Sequence, residues 1–157
     1  EEIPLDRIPQ SLQDAVVAIE DERFYEHPGV DLRAILRALA ADASSGEVEQ
    51  GGSTITQQYV KNTLVGDDQT FQRKLEEAAL AFELERHNTK QRILELYLNT
   101  IYFGNGAYGV LQAARAYFGK RADELTLAEA ALLSGIPADP SRYDPVQHPA
   151  AARTRRW

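Results

Sequence analysis

The sequence contains no cysteine and no methionine among its 157 residues, and only one tryptophan. The missing cysteine excludes a thiol nucleophile, a thiolate metal site and a disulfide framework. No segment approaches the roughly 20 apolar residues that a membrane-spanning helix needs, and no signal peptide is evident. Because the sequence does not begin with methionine, we expect it to be a fragment of a longer protein.

The composition is that of one folded domain. Hydrophobic residues make up 43% of the chain and charged residues 26%, which argues against disorder. The formal net charge of −7 argues against nucleic acid as a partner. Any anion that the protein binds must therefore be held by a local basic cluster.

Apolar residues recur mostly at helical spacing, and alternating strand patterns are almost absent. One apolar stripe runs from Leu12 to Ile19, and Ser11 is the residue expected to cap that helix. Thr126 and Glu129 are spaced as a capping box before another helix. The sequence therefore predicts an all-α, single-domain fold covering residues 1–157.

One short segment, EQGGSTITQQYVKN, is far more polar than a protein core needs. Ser53 is placed to cap a helix that begins at Thr54, so Thr54, Gln57, Gln58 and Lys61 fall on one helix face. The glycines let the backbone approach a ligand, and free N–H groups at a helix start favour an anion. The pattern is typical of a phosphate or diphosphate site, and equally of a solvated helix face after a flexible loop.

Glu20 is a candidate acid or base. If its helix continues, the carboxylate shares a face with Val16, Val17 and Phe24, and burial there would raise its pKa. The alternative, which the residue pattern alone favours, is a surface carboxylate in an acidic stretch. We interpret His27 as a turn-stabilising residue rather than a metal ligand, because no second ligand stands at a suitable spacing.

Two further segments carry charged residues at helical spacing. Arg73 and Lys74 precede Glu77 by four and three residues. They form either surface ion pairs or a carboxylate flanked by two cations beside a phosphate. Glu95 and Asn99 lie four residues apart in a largely apolar stretch that we assign mainly to the core.

Taken in order, these motifs resemble those of the peptidoglycan glycosyltransferases, glycosyltransferase family 51. This family includes monofunctional enzymes and the N-terminal modules of class A penicillin-binding proteins. The matched motifs are E-D-x-x-F-x-x-H-x-G from Glu20 to Gly29, G-G-S-T-I-T-Q-Q-x-x-K-N from Gly51 to Asn62, R-K-x-x-E from Arg73 to Glu77, and R-I-L-E-x-Y-L-N from Arg92 to Asn99. A fifth, weaker match involves Ala130, Leu132, Pro140, Tyr143 and Pro145.

The resemblance implies a mostly helical, lysozyme-like fold that polymerises lipid II into β-1,4 glycan strands. The reaction inverts the donor anomeric carbon and releases polyprenyl diphosphate. By the same resemblance, Glu20 is the catalytic base and Glu77 the second catalytic glutamate. The implied substrate-binding residues are Ser53, Thr54, Gln57, Gln58, Lys61, Asn62, Arg73 and Lys74. No closed metal site is expected, although the family allows a divalent cation, Mg²⁺ or Mn²⁺, at the diphosphate.

The resemblance also implies partners and a location. We expect lipid II, the growing glycan strand, the membrane surface and other cell-wall synthesis proteins as partners. The implied location is the bacterial cell envelope, at the extracytoplasmic face of the cytoplasmic membrane. The chain would then be a catalytic fragment without the family's N-terminal membrane helix and the last helical part of the domain.

Two details of the sequence add to this picture. An apolar stripe from Leu32 to Leu39, flanked by Arg33 and Arg37, predicts either a core helix or an amphipathic helix that contacts the bilayer. Gln69 and Glu76 stand where the family usually has cations, so both departures remove positive charge near the expected diphosphate.

Two other functions stay open. A lysozyme-like hydrolase or lytic transglycosylase would share the fold, but its substrate carries no diphosphate to engage Lys61, Arg73 and Lys74. A non-catalytic, membrane-docked interaction domain would have no need of Glu20 and Glu77.

Overall fold

The computed structural model of the chain describes residues 2–33, 35, 37, 52–65 and 70–155, except for the side chains of Val65 and Phe71. The expectations that concern Gly51, Gln69 and the apolar positions Leu36 and Leu39 therefore lie outside the described residues.

The described residues form helices joined by short loops. The α-helices are α1 (Gln10–Glu20), α2 (Ile55–Val60), α3 (Phe71–His87), α4 (Lys90–Thr100), α5 (Val110–Phe118), α6 (Leu127–Ser134) and α7 (Pro149–Arg155). Short 3-10 turns cover Leu5–Arg7 and Ala122–Glu124, and a π-helical turn, Lys61–Val65, follows α2 directly. The strand-like pairing within the described residues is an isolated bridge between Tyr102 and Tyr108. The predicted all-α class is confirmed.

Threonine side chains begin several of these helices, because each hydroxyl accepts an N–H group that the first helical turn leaves without a partner. The N-caps of this kind are Thr54, Thr70, Thr89 and Thr126. The capping box predicted at Thr126 is confirmed.

Two predicted helix starts are wrong by one or two residues. The first helix begins after Pro9, whose carbonyl accepts the N–H of Leu12, so Ser11 lies within the first turn instead of capping it. In the second, Thr54 rather than Ser53 is the cap, because the Thr54 hydroxyl is the group that reaches the N–H of Gln57.

The core brings together the elements that carry the conspicuous motifs. In α4, Ile93, Leu94, Tyr97 and Leu98 are fully buried, and α2 packs against both α4 and α3. The first helix, α1, packs mainly against α6. The C-terminal residue of α1, Glu20, reaches α2 by accepting a hydrogen bond from Gln58.

The loop after α1 is fixed by close backbone contacts. Phe24 is fully buried in it. Gly29 has a φ of 93°, and a Cβ at this position would lie 2.7 Å from the carbonyl oxygen of Ala81 in α3. The Gly29 carbonyl in turn accepts the Thr54 hydroxyl at 2.6 Å. This loop is thereby held between α3 and the start of α2.

No helix among the described residues has the length and apolar character needed to cross a bilayer. The side chain of Leu32 is 70% exposed. Because Leu36 and Leu39 lie outside the described residues, the amphipathic helix proposed for this segment stays a prediction.

Candidate active site

Glu20 is the last residue of α1, and its carboxylate is divided between two environments. Oε2 accepts a hydrogen bond from Gln58 Nε2 at 3.0 Å, whereas Oε1 is buried and has no hydrogen-bond partner among the described residues. Burial raises the pKa of Glu20 above its ordinary value of 4.5, although the Gln58 hydrogen bond and the nearby Arg155 partly oppose this. The helix ends at Glu20, so its expected continuation towards Phe24 is wrong. The residue as a whole is half-buried, but the expected burial of its carboxylate is confirmed.

Tyr97 of α4 lies on the other side of Gln58. Its side chain is fully buried, and its hydroxyl donates to Gln58 Oε1 at 2.9 Å. Burial, together with the negative charges of Glu20 and Asp21, holds the pKa of Tyr97 well above its usual range. The apolar sequence pattern placed this segment in the core and gave no role to Tyr97. The available signal was a tyrosine in a buried apolar run, since a buried phenol needs a hydrogen-bond partner.

Asp21, the residue after Glu20, connects the loop to α2. Its Oδ2 accepts the backbone N–H of Ile55 at 3.0 Å. Both of its oxygens lie 2.9 Å from His27 Nε2. His27 therefore stabilises the turn, as expected, and it does so through the buried carboxylate of Asp21, which the sequence pattern did not indicate.

A second network of hydrogen bonds and ion pairs, centred on Lys90 and Glu85, adjoins the contacts of Asp21 and His27. Lys90 Nζ contacts Glu85 at 2.7 Å, donates to the His27 carbonyl at 2.6 Å and lies 4.5 Å from the centre of the Phe24 ring. Glu85 also accepts the Thr56 hydroxyl at 2.6 Å. These contacts fix α3, α4 and the loop to α2, so the helix that carries Gln58 is held from several sides.

The side chains of Thr54 and Gln57 form hydrogen bonds within the first turn of α2. Both are buried, and they form a capping box in which Gln57 Oε1 accepts the Thr54 N–H at 3.1 Å. The Ile55 N–H donates to Asp21, so a carboxylate of the protein itself is the anion bound at this helix start. The expectation that free N–H groups here receive a phosphate is therefore corrected. The listing of Thr54 and Gln57 as substrate ligands stays a prediction.

Ser53, Lys74 and Glu77 form a cluster at the other predicted motif. Lys74 Nζ donates to Ser53 Oγ at 2.8 Å and contacts Glu77 Oε1 at 2.5 Å. Glu77 is only 5% exposed, whereas half of the Lys74 side chain faces solvent. Residues predicted from two separate motifs are thus brought together by α3 and the loop before α2.

The remaining predicted ligands lie nearby in the chain. Lys61 and Asn62 are exposed at the start of the π-helical turn, and Arg73 is partly buried one residue before Lys74. A π-helical turn of this kind is often found at functional sites. Glu76 is exposed and accepts a hydrogen bond from Gln72 at 3.2 Å.

A cavity of about 190 Å³ lies between the end of α1 and the residues before α2. Glu20 and Ser53 both line it, together with Asp21 and Thr54. Arg23 also lines the cavity, and its guanidinium is paired with Asp31, Nε lying 3.0 Å from Oδ2. Among the described residues, no group of three or more histidine or carboxylate side chains is placed to hold a metal ion.

The sequence model of the family described as Transglycosylase matches residues 1–157, the whole chain. A protein of Cupriavidus necator named "Putative transglycosylase" is 52% identical over 154 residues, which are 98% of this chain and 66% of that protein. Penicillin-binding protein 1A of Neisseria flavescens is 47% identical over 152 residues, 97% of this chain and 19% of that protein. Penicillin-binding protein 1F of Bacillus subtilis is 44% identical over 156 residues, 99% of this chain and 22% of that protein.

The chain thus spans just under two thirds of the first of these relatives and about a fifth of each penicillin-binding protein.

Proposed function

Since this chain belongs to the transglycosylase family, the peptidoglycan glycosyltransferases with a lysozyme-like helical fold, we propose that it polymerises lipid II into β-1,4 glycan strands. The family and the fold are those predicted from the motifs. In the proposed reaction, the 4-hydroxyl of the acceptor sugar attacks the donor anomeric carbon. Polyprenyl diphosphate leaves, and the configuration at that carbon inverts.

The observation that carries this proposal is the divided environment of Glu20. A general base must hold a proton-accepting oxygen ready while the carboxylate stays in place. Gln58 holds Oε2, Oε1 is buried without a hydrogen bond among the described residues, and the Glu20 residue lines the cavity. The raised pKa brings the carboxylate closer to the operating pH, which favours proton transfer from a sugar hydroxyl.

The cluster of Ser53, Lys74 and Glu77 supports a diphosphate leaving group beside the cavity that Glu20 lines, because Ser53 lines that cavity as well. Lys74 supplies a positive charge within hydrogen-bond reach of the Ser53 hydroxyl. Charge-assisted hydrogen bonds to phosphate oxygens are among the stronger polar contacts in proteins. We assign Lys61 and Arg73 to the same role, in which they stabilise the negative charge that develops on the leaving group.

A divalent cation would fit this cluster if it were bound by one carboxylate of the protein together with the phosphates of the substrate. Mg²⁺ usually binds through one or two carboxylates together with substrate phosphates. Glu77 is the carboxylate in contact with Lys74, so it is the residue we propose as the protein ligand of Mg²⁺ or Mn²⁺. Such an ion would supply additional positive charge at the diphosphate.

The proposed partners follow from the substrate. Lipid II is a membrane lipid, so the domain must work at a membrane surface. We propose that this surface is the extracytoplasmic face of the cytoplasmic membrane in the bacterial cell envelope, and that other cell-wall synthesis proteins act beside the domain.

Incubation with labelled lipid II tests the proposal. We expect glycan strands that separate as a ladder by size and that collapse to small fragments on lysozyme digestion. Glu20→Gln is the control, because it removes the proposed base while preserving side-chain shape. Repeating the assay with EDTA, and then with added Mg²⁺ or Mn²⁺, tests the role of the cation.

The two alternative functions give different outcomes. A hydrolase or lytic transglycosylase would shorten preformed glycan and leave lipid II unchanged. A docking domain would bind lipid II vesicles without turnover. Either result, obtained with a folded protein, would overturn the proposed polymerase function.

A further inference from the structure

We infer that Tyr97 is a positioning residue for Glu20, because its hydroxyl fixes the side-chain amide of Gln58 in the orientation that points the NH₂ group at the catalytic carboxylate. The inference rests on the proposed function for the role of Glu20. The arrangement itself consists of two hydrogen bonds in series, Tyr97 to Gln58 at 2.9 Å and Gln58 to Glu20 at 3.0 Å.

The chemistry of the three groups makes this orientation specific. An ionised carboxylate only accepts hydrogen bonds, whereas an amide has one accepting end and one donating end. The buried hydroxyl of Tyr97 donates its proton to the accepting end of Gln58. If the amide turned over, its oxygen would face the Glu20 carboxylate, and the Tyr97 proton would lose this acceptor. Both changes are unfavourable in a buried site.

Burial supports a fixed rather than a fluctuating arrangement. Tyr97 is fully buried within α4 and belongs to the hydrophobic core, so its hydroxyl position is set by packing. Gln58 lies on α2, whose first turn is held by Asp21 and whose Thr56 is held by Glu85. Tyr97 thereby links a rigid core position to the catalytic carboxylate.

Other charged groups also act on Glu20. Asp21 follows it in the chain and Arg155 approaches from α7, while Glu22, Arg23, Asp31 and Arg37 line the same cavity. Tyr97→Phe leaves all of these in place, because it removes only one hydroxyl. A change in the titration of Glu20 in this variant therefore reports on the Gln58 amide.

The test is an NMR titration of the Glu20 side-chain carboxyl, assigned by its loss in Glu20→Gln. We expect Tyr97→Phe to move the titration midpoint to higher pH, because a less firmly held amide stabilises the carboxylate less. Tyr117→Phe is the matched control, since the Tyr117 hydroxyl donates to the Phe103 carbonyl at 2.6 Å. We expect it to leave the midpoint unchanged.

Two further measurements complete the test. In a Gln58→Met background, Tyr97→Phe should have no additional effect on the midpoint. In the polymerisation assay, Tyr97→Phe should lower kcat by roughly tenfold with little change in KM, because it misplaces the base without touching the donor. An unchanged midpoint in folded Tyr97→Phe, or an equal shift with and without the Gln58 amide, overturns the inference.

A measurement on the unmodified protein covers the case in which Tyr97→Phe does not fold. The side-chain NH₂ signals of Gln58 should move as Glu20 is titrated, and this response should vanish in Glu20→Gln. If the chemical shifts of the Gln58 NH₂ group do not change as Glu20 is titrated, the inference is overturned. Because these titrations need no substrate, their result is independent of whether the domain polymerises lipid II.

Discussion

The carboxylate of Asp21 accepts the backbone N–H of Ile55 at 3.0 Å, and so joins the residue after Glu20 to the first turn of α2. The two residues are 34 positions apart in the chain. Because Gln58 lies one turn further along the same helix, this hydrogen bond helps to set the distance between Gln58 and Glu20. The Asp21 carboxylate thus stabilises the arrangement of α1 and α2 next to the proposed catalytic carboxylate.

We expect Asp21→Asn to destabilise the fold by about 1–3 kcal/mol, because the Ile55 N–H and His27 lose a buried, charged acceptor. Polymerisation should also fall, since α2 is no longer held in place. Chemical denaturation and the lipid II assay measure the two effects. Asp14→Asn is the matched control, because Asp14 is exposed and accepts a hydrogen bond from the Gln10 side chain at 2.8 Å. Equal stability of the two variants would contradict the role given to Asp21.

Glu20→Gln should separate activity from stability. Polymerisation should drop by about 10²–10⁴-fold, the usual contribution of a positioned base. The pKa of folded Glu20 lies above the ordinary 4.5, so the folded state holds this proton more tightly than the unfolded chain does. The contribution of Glu20 to stability is therefore present below pH 4.5 and lost as the pH rises through the folded pKa, at up to about 1.36 kcal/mol per pH unit.

The Gln variant lacks this titration. We therefore expect Glu20→Gln to be more stable than the unmodified protein at neutral pH, and this advantage should shrink as the pH falls towards 4.5. Denaturation curves at several pH values measure the difference. A constant difference across this range would mean that the carboxylate is not disfavoured by burial. In the activity assay, the acidic limb of the rate profile should likewise lie above pH 4.5.

Helical spacing predicted the fold class and the helix start at Thr126, because apolar periodicity and capping side chains are local properties of the chain. For Glu20 the residue pattern favoured a surface carboxylate over one on an apolar helix face, whereas the structure buries the carboxylate. The N–H groups of α2 were not predictable in the same way. The partner of the Ile55 N–H, Asp21, comes from a distant part of the chain, so local spacing cannot reveal that this N–H group is already bound to a carboxylate.

For Tyr97, local sequence predicted the position in the core but not the hydrogen bond. Its apolar neighbours correctly indicate a core position, but its hydrogen bond depends on where α2 packs against α4. Lys74 and Glu77 were grouped from their spacing in one helix, whereas the link to Ser53 spans 21 residues and depends on the packing of α3. Pairs within one helix were predictable, and pairs between helices required the fold.

Gly29→Ala should be among the most damaging small substitutions near the site. A Cβ would clash with the Ala81 carbonyl, and φ is 93°, so the loop must move away from α3. That shift also displaces the carbonyl that accepts the Thr54 hydroxyl. Gly106→Ala is the control, because Gly106 has a similar φ of 72° but open space around it. We expect about 1–2 kcal/mol of destabilisation for Gly106→Ala and clearly more for Gly29→Ala, measured by denaturation.

If both glycine variants unfold at the same denaturant concentration, the contact between this loop and α3 contributes nothing beyond backbone strain. The polymerisation assay adds a second comparison. Gly29→Ala should lose activity because the Thr54 cap moves, whereas Gly106→Ala should retain it.

Lys61→Ala and Arg73→Ala should each weaken the binding of lipid II, or of a diphosphate-bearing analogue, by about 1.5–3 kcal/mol through loss of a charge-assisted contact. Thermal unfolding should change much less than affinity for Lys61, which is exposed. If both variants bind the analogue as tightly as the unmodified protein, the diphosphate is held elsewhere.

Lys74→Ala should give the largest loss of donor affinity in the cluster, because Lys74 also positions the Ser53 hydroxyl and the Glu77 carboxylate. Removing it leaves the nearly buried Glu77 without this cation, so some loss of stability should accompany the loss of binding. Lys120→Ala is the matched control, since Lys120 makes the same kind of pair with Glu129, in which Nζ lies 2.7 Å from Oε1.

The affinity difference between Lys74→Ala and Lys120→Ala should be greatest at low salt and shrink as ionic strength rises, because half of the Lys74 side chain faces solvent. Equal affinities at low salt, with both variants folded, would show that the Ser53, Lys74 and Glu77 cluster does not face the diphosphate.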